Sequence, residues 1–287
     1  MRYQWILFLF FFTISCYKTT SSIKPLIVTI NPLRAILSEI VGTRHTLITL
    51  LPPGATPHGF ELKPSQVALI QNSLSVIYIS NHMDGWAINS EIKNKLRLID
   101  LIPENEKIMI EDEENPQIRE VDPHFWLDPL LVSSLIPKIT NHLCQVDPEG
   151  CQGFQINADH FMRVLGNLDT TISQKISQTN RLPVFTTHSF LNYYAKRYGI
   201  KIMGSFYHSP GKEPTAHDFK VLIDQLKKEK SGGLLAEIQF PRSTLMALSE
   251  ATQIPIIVTD PIGGTNELFT YEQLLTHNTE QITKVLQ

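Results

Sequence analysis

Short apolar runs rich in β-branched residues alternate with amphipathic segments along the chain from Pro25 onward. This alternation predicts βα units, which build parallel sheets covered by helices. The predicted strands are residues 25–30, 45–50, 75–80, 96–101, 182–187, 200–206, 233–238 and 255–259. Helices are predicted at residues 31–41, 64–72, 85–95, 190–198, 214–229, 241–252 and 271–286. Asn31 is predicted to cap the first of them. A further helix is predicted to begin at Asp128 and to bend or break at Pro137.

A longer helix is predicted in the middle of the chain. No proline interrupts residues 149–181, so this helix can run for about thirty residues, or about 45 Å. Its apolar residues recur at spacings of three and four: Phe154, Ala158, Phe161, Leu165, Leu168, Ile172 and Ile176. We therefore expect an α/β protein with two lobes, each built on a parallel sheet, joined by one long rigid helix. The predicted boundaries are 23–146 for the N-terminal lobe, 147–181 for the helix and 182–287 for the C-terminal lobe.

The first 22 residues have the pattern of a signal peptide. A positively charged start precedes a ten-residue apolar run at 5–14, which is too short to span a bilayer. Export is therefore predicted, to the periplasm or to the outer face of the cytoplasmic membrane. Cys16 follows Ser15 where a bacterial lipoprotein would be cleaved and acylated, but Thr13 replaces the usual leucine. A lipid anchor at Cys16 is left open.

Composition narrows the choice of partners. The chain has 287 residues, of which 42% are hydrophobic, and a formal net charge of −3. It has no strongly basic field, so nucleic acid is not an expected partner.

Cys144 and Cys151 flank a short turn, and export would allow them to pair, although two free thiols are an equal alternative. The acidic residues 104–120 are interpreted as a solvated loop.

Four residues have the chemistry and placement of metal ligands. His58, His124, His188 and Asp260 each follow a strand or a turn, on the side where α/β sheets bind ligands. Each lobe would contribute two of them to one cleft between the lobes. Three imidazoles and a carboxylate form a complete set for a divalent transition metal. Individually, each residue is more often a local hydrogen-bonding or capping residue.

Flanking sequence strengthens this interpretation. The stretches PPGATPHGFELKPS, DPHFWLDP, TTHSFLNYYAKRYGIK, GSFYHSPGKEPTAHDF, LLAEIQF and VTDPIGG resemble, in order, the motifs of the metal-specific solute-binding proteins of zinc and manganese ABC importers. The resemblance covers nearly all of residues 23–287. It implies two α/β lobes bridged by a long helix, binding without catalysis, a membrane permease as partner, and His58, His124, His188 and Asp260 as the metal ligands.

Two features depart from the pattern of that family. Residues 104–120 contain no histidine, whereas family members dedicated to zinc often have a His-rich loop there. Ser189 and Phe190 follow His188 where the family commonly has Asp and Ala.

The types of the candidate ligands bear on which metal binds. A set of three nitrogens and one carboxylate favours Zn²⁺, with Mn²⁺ as the alternative.

The remaining residues of interest support or surround this site. Asp122, Glu61 and Glu237 lie near the ligands in sequence and are candidates to accept the second N–H of a ligating imidazole, although ordinary surface or capping roles are as common. The remaining histidines lack matching context and are interpreted as structural or exposed: His45, His82, His142, His160, His208, His217 and His277.

We therefore predict a monomeric binding protein for a divalent metal ion, and three other functions are alternatives. A zinc hydrolase would need an open coordination position, and the sequence has neither HExxH nor a nucleophile elbow. A metal-binding surface adhesin is compatible with the same site. A binding protein for chelated iron or a cobalamin-type ligand would use aromatic and arginine residues rather than four metal ligands.

Overall fold

The computed structural model of the protein describes residues 23–88, 92–111, 117, 119–205, 216–228, 231–265 and 268–287. The predicted signal peptide, Cys16 and His208 lie outside these ranges. Within the described part of the chain, no helix combines the length and hydrophobicity needed to cross a membrane.

The N-terminal half contains a four-stranded parallel sheet. Its strands are β1 (Leu26–Val28), β2 (Leu47–Thr49), β3 (Ser75–Tyr78) and β4 (Lys95–Arg97), in the order β2-β1-β3-β4. Its helices are α1 (Asn31–Val41), α2 (Pro64–Gln71) and the short α3 (Asn81–Asp84), which continues as a 3-10 turn at Gly85–Ala87. In the central strand Ile27 aligns with Ile48 on one side and Val76 on the other, and all β1 residues are buried.

Two local predictions in this half are wrong. Asn31 is the first residue of α1 rather than its cap, and its Nδ2 donates to the carbonyls of Ile262 and Leu268, both at 3.2 Å. The helix expected at 85–95 starts earlier, directly after β3, and residue 95 already belongs to β4. The early start has a local cause, since Asp84 accepts hydrogen bonds from the backbone N–H groups of Ile79 and Ser80.

The segment before the long helix also differs from expectation. The acidic stretch contains an antiparallel hairpin of β5 (Met109–Glu111) and β6 (Arg119–Val121). Helix α4 (Pro129–Val146) continues through Pro137 without a break. As predicted, Asp128 caps α4, accepting from the N–H groups of Leu130 and Leu131 at 2.9 and 3.0 Å.

The predicted long helix is α5 (Cys151–Ser177), with 27 residues and a length of about 40 Å. All seven residues of the predicted apolar stripe are buried. The turn into α5 is held by a Cys144–Cys151 disulfide and by Asp147, which forms an ion pair with Arg44. This ion pair lowers the pKa of the Asp147 carboxyl well below its usual range.

The C-terminal half repeats the parallel arrangement. Its strands are β7 (Val184–Thr186), β8 (Ile202–Ser205), β9 (Gly233–Glu237) and β10 (Ile256–Thr259), in the order β10-β9-β7-β8. Its helices are α6 (Asn192–Tyr198), α7 (Ala216–Lys228), α8 (Arg242–Thr252) and α9 (Tyr271–Thr283). The prediction of two parallel α/β sheets connected by a long helix is therefore confirmed.

The two halves are in direct contact. The largest hydrophobic cluster joins Leu26 of β1, Phe161 of α5 and Val184 of β7. Buried hydrogen bonds also cross between the halves: Trp126 Nε1 donates to the Pro261 carbonyl at 2.9 Å, and the Tyr271 hydroxyl donates to the Trp126 carbonyl at 2.6 Å. The segment that carries His124 is thus held against the C-terminal half.

Candidate metal centre

Two of the four predicted ligands lie at the carboxyl ends of parallel strands, and the other two lie in loops. His188 follows β7 by two residues, and Asp260 follows β10 directly. His124 lies in the turn between β6 and α4, and His58 lies in the loop between β2 and α2. The carboxyl edge of a parallel sheet is where α/β proteins place their ligand sites.

His124 and His188 form a buried pair contributed by the two halves of the chain. Their Nε2 atoms are 3.3 Å apart and their ring centroids 5.1 Å apart. Only 4% and 5% of their respective surfaces are exposed. Two ligands at 2.0–2.1 Å from a tetrahedral zinc ion are about 3.3–3.4 Å apart, so the pair has the spacing of two zinc ligands.

The protonation of these two imidazoles follows from their carboxylate partners. His124 Nδ1 lies 2.8 Å from Asp122 Oδ1, and His188 Nδ1 contacts Glu237 Oε2. A carboxylate accepts the proton of Nδ1, so each neutral ring carries its lone pair on Nε2. Two lone pairs that face each other at 3.3 Å repel unless a cation lies between them. The arrangement therefore favours binding of a metal ion or, in competition with it, a proton.

Asp122 has further partners that keep it in place. It is fully buried, and its Oδ1 also accepts from the backbone N–H of His124 at 2.9 Å. Its Oδ2 accepts from Asn192 Nδ2 at 3.1 Å, and the same amide group donates to the Ser189 carbonyl at 3.2 Å. Asn192 thus connects the support of His124 with the turn that follows His188. Asn192 could not be identified from the sequence, because its partner Asp122 is 70 residues away.

Of the three predicted supporting acids, two contact a candidate ligand in the structure. Asp122 and Glu237 do so through the Nδ1 atoms of His124 and His188. Glu61 is exposed, and among the described residues it forms no hydrogen bond with any candidate ligand. Proximity to His58 in sequence was therefore a misleading guide to contact in space.

His58 lies beside the pair without joining it. Its ring centroid is 6.3 Å from that of His188. Burial is the main cause that lowers the pKa of His58 to about 3, and the positive charges that His188, His124 and His82 carry when protonated act in the same direction. The imidazole is therefore neutral at physiological pH, which is the form that binds a metal.

Asp260 is held by donors from its own half. One carboxylate oxygen accepts from the Gly263 N–H at 2.7 Å and the other from the Thr265 hydroxyl. Its backbone N–H and carbonyl both bond to the Asn278 side chain at 2.8 Å. Gly263 has φ +70°, and a Cβ there would lie 3.1 Å from the Leu268 carbonyl oxygen, so this turn requires glycine. Thr265 and Asn278 were not identified from the sequence.

The four candidates thus fall into an assembled centre and two flanking residues. Within the part of the chain that the structure describes, no three His, Cys, Asp or Glu side chains already surround one metal position. A four-ligand site would therefore require His58 and Asp260 to shift toward the His124–His188 pair.

Comparison with known proteins identifies the family of this chain and its relatives. The family model described as "Zinc-uptake complex component A periplasmic" matches residues 26–285. The zinc-binding lipoprotein AdcA of Streptococcus pneumoniae is 26% identical over 270 residues, which cover 90% of this chain and 54% of AdcA. The zinc-binding protein TroA of Treponema pallidum is 26% identical over 92% of this chain and 89% of TroA. The chain thus spans about half the length of AdcA and most of TroA.

Solved structures share the fold. The periplasmic zinc-binding protein TroA of Treponema pallidum superimposes with a TM-score of 0.79 at 23% identity, covering 92% of this chain and 99% of TroA. FpvC of Pseudomonas aeruginosa, solved in complex with Mn²⁺, has a TM-score of 0.79 at 19% identity, covering 92% of this chain and 98% of FpvC. At these identities the structural likeness concerns the fold.

Proposed function

The chain belongs to the family of zinc-uptake complex component A, and we propose that it captures a divalent transition-metal ion and delivers it to the membrane permease of an ABC importer. The observation that carries this proposal is the buried His124–His188 pair, whose Nε2 atoms face each other at 3.3 Å. Membership of an uptake-complex family makes the protein a binding component rather than an enzyme.

The proposed ligand set is His58, His124, His188 and Asp260. His124 and His188 form the centre, because Asp122 and Glu237 hold their Nδ1 protons and leave Nε2 available to the ion. Neutral His58 and the Asp260 carboxylate complete four-coordination. Asp260 can contribute an oxygen lone pair while it still accepts from Gly263, since each carboxylate oxygen has two acceptor sites.

Zinc is the proposed cargo and manganese the alternative. Imidazole-rich sets suit zinc, whereas sets rich in oxygen suit manganese. AdcA and TroA are named as zinc-binding proteins, which supports the same choice. FpvC is a relative in fold that was solved with Mn²⁺, so fold alone does not select the metal.

Capture requires only local movement. The incoming ion loses water and binds between the two Nε2 atoms, replacing their mutual repulsion with two coordination bonds. The buried contacts of Trp126 and Tyr271 hold the two halves together, so the change is concentrated at the His58 loop and the Asp260 side chain. The protein acts outside the cytoplasm as a monomer in this proposal.

Metal stoichiometry tests the capture step. The protein is stripped with chelator, offered equal Zn²⁺ and Mn²⁺, and its bound ions are counted by elemental analysis. One zinc per chain is expected, with manganese gaining in His188→Glu because the set becomes richer in oxygen. His160→Gln is the matched control, since His160 is an exposed residue of α5. Absence of stoichiometric metal in the unmodified protein would contradict the proposal.

Growth under zinc limitation tests delivery. Loss of the gene should impair growth in chelator-treated medium, and the unmodified chain should restore it. His58→Ala and His124→Ala variants, produced at the same level, should not restore it. A surface phenotype that survives both substitutions, with no defect in zinc-limited growth, would favour the adhesin alternative.

A further inference from the structure

His58 is supported differently from the other two imidazoles. Among the described residues, no carboxylate or carbonyl oxygen accepts a hydrogen bond from its ring. Its backbone N–H reaches the Thr56 hydroxyl at 3.3 Å, a long contact. The position of this imidazole therefore depends on how the loop that carries it, residues 52–60, is held.

Trp86 contacts that loop on both sides of His58. The indole Nε1–H donates to the carbonyl of Pro57 at 2.9 Å. The indole ring also packs edge-on against Phe60, with 4.8 Å between ring centroids. Residue 57 precedes the candidate ligand and residue 60 follows it by two positions, so one indole contacts the loop backbone before His58 and a loop side chain after it.

Trp86 is itself fixed by a buried carboxylate two residues earlier. Asp84 is fully buried, and its Oδ2 accepts from the Thr29 hydroxyl at 2.6 Å and the Ile79 N–H at 2.8 Å. Its Oδ1 accepts from the Ser80 N–H at 2.8 Å. Burial raises the pKa of Asp84 to about 6. Because Thr29 follows β1 and Ile79 follows β3, Asp84 ties the turn that carries Trp86 to two central strands.

We propose, on the basis of the proposed metal-binding function, that Trp86 is a positioning residue for His58, holding the 52–60 loop so that this imidazole faces the His124–His188 pair before the metal arrives. A ligand that is already ordered binds without the entropic cost of ordering its loop. Trp86 does not touch the ion, so its effect on metal binding acts through His58.

The first test needs no metal. Hydrogen–deuterium exchange is measured on the full, chelator-treated chain, comparing the unmodified protein with Trp86→Phe, which removes the indole donor and keeps an aromatic ring. Peptides covering residues 52–62 should exchange faster in the variant, whereas peptides covering residues 184–192 should not change. Ile77→Val is the control, because it removes a buried methylene from β3 and leaves both the loop and Trp86 unaltered in sequence. Unchanged exchange at 52–62, or equal acceleration in the control, would overturn the proposal.

The second test is a double-mutant cycle on zinc affinity. Trp86→Phe should weaken zinc binding by about three- to tenfold, the loss expected for one intramolecular hydrogen bond. This loss should vanish in a His58→Ala background. A loss of equal size in that background would show that Trp86 acts on general stability, and unchanged affinity in Trp86→Phe would show that the loop restraint does not serve the metal. Either result overturns the proposal. Failure of the unmodified protein to bind zinc would instead refute the proposed function, and the exchange measurement would still decide whether Trp86 holds the His58 loop.

Discussion

The centre of the candidate site and its flanks are held in different ways. At the centre, His124 and His188 are each oriented through the ring, by the carboxylates of Asp122 and Glu237. Of the two flanking candidates, His58 is positioned through its backbone loop, whereas the Asp260 carboxylate accepts hydrogen bonds from Gly263 and Thr265. A hydrogen bond to the imidazole fixes the orientation and the tautomer of the ring. A contact to the backbone fixes only the position of the Cα atom from which the side chain extends. We therefore expect the centre to contribute most of the metal affinity.

Removal of a central ligand should have the largest effect. His124→Ala or His188→Ala leaves the other buried Nε2 without its partner, and it removes the ring N–H that faces Asp122 or Glu237. Zinc affinity should fall by more than the about 10- to 100-fold typical for loss of a supporting partner. His58→Ala should cost clearly less than either. Isothermal titration calorimetry in competition with a chelator gives all three constants, and an equal loss for the three variants would remove the distinction between centre and flank.

Removal of a supporting carboxylate should have the next largest effect. Asp122→Asn keeps the shape of the side chain, but it places an amide N–H₂ against either His124 or the donating amide of Asn192. Zinc affinity should fall about 10- to 100-fold, and Glu237→Gln should behave similarly through His188. Glu61→Gln is the matched control and should bind zinc as the unmodified protein does. A control that loses as much affinity would show that total negative charge, rather than ring orientation, is the cause.

Acid should weaken binding through the centre rather than through His58. A proton competes with the metal for the Nε2 lone pairs, so zinc affinity should fall by about tenfold or more between pH 7 and pH 5. His58 has a pKa lowered to about 3 by burial, so it stays neutral across this range and adds no proton competition. The His58→Ala variant should therefore show the same pH dependence as the unmodified protein. A flat profile in the unmodified protein would contradict histidine ligation.

The disulfide should matter least for metal binding. Cys144 lies sixteen residues beyond Asp128 along α4, about 24 Å from the end that carries the site. Replacing both cysteines by serine should lower the free energy of unfolding by about 2–3 kcal/mol or less, because the closed loop is short and Asp147 still pairs with Arg44. Urea unfolding of the metal-free protein measures this loss, while zinc affinity should not change. A parallel loss of affinity would mean that the turn into α5 is coupled to the site.

Sequence periodicity predicted the parts of the fold that depend on local patterns. The buried stripe of α5 follows directly from spacings of three and four, and parallel sheets follow from βα alternation. The hairpin β5–β6 was missed because two three-residue strands in an acidic stretch leave no periodic signal. Asn31 was misassigned as a cap because the carbonyls that bind its side chain lie more than 230 residues away in sequence.

At the candidate site, too, local sequence signals could be recognised and long-range contacts could not. The candidate ligands were found because His and Asp at strand ends are chemically distinctive and were flanked by recognisable motifs. Asn192, Thr265 and Trp86 were not found, because each acts through a partner that only the folded chain brings near. Asp122 was nominated from its proximity in sequence to His124, a rule that failed for Glu61. Sequence therefore nominates candidate donor atoms more readily than the residues that would orient them.

The most direct test of the central claim is the coordination shell of bound zinc. X-ray absorption at the zinc edge, recorded on the protein loaded with one equivalent of zinc, reports the number of imidazoles and the metal–ligand distances. We predict three imidazole nitrogens at about 2.0–2.1 Å and one carboxylate oxygen, with one imidazole lost in His188→Ala. A shell dominated by oxygen, or one that His188→Ala leaves unchanged, would contradict the proposal that the His124–His188 pair is the core of the metal site.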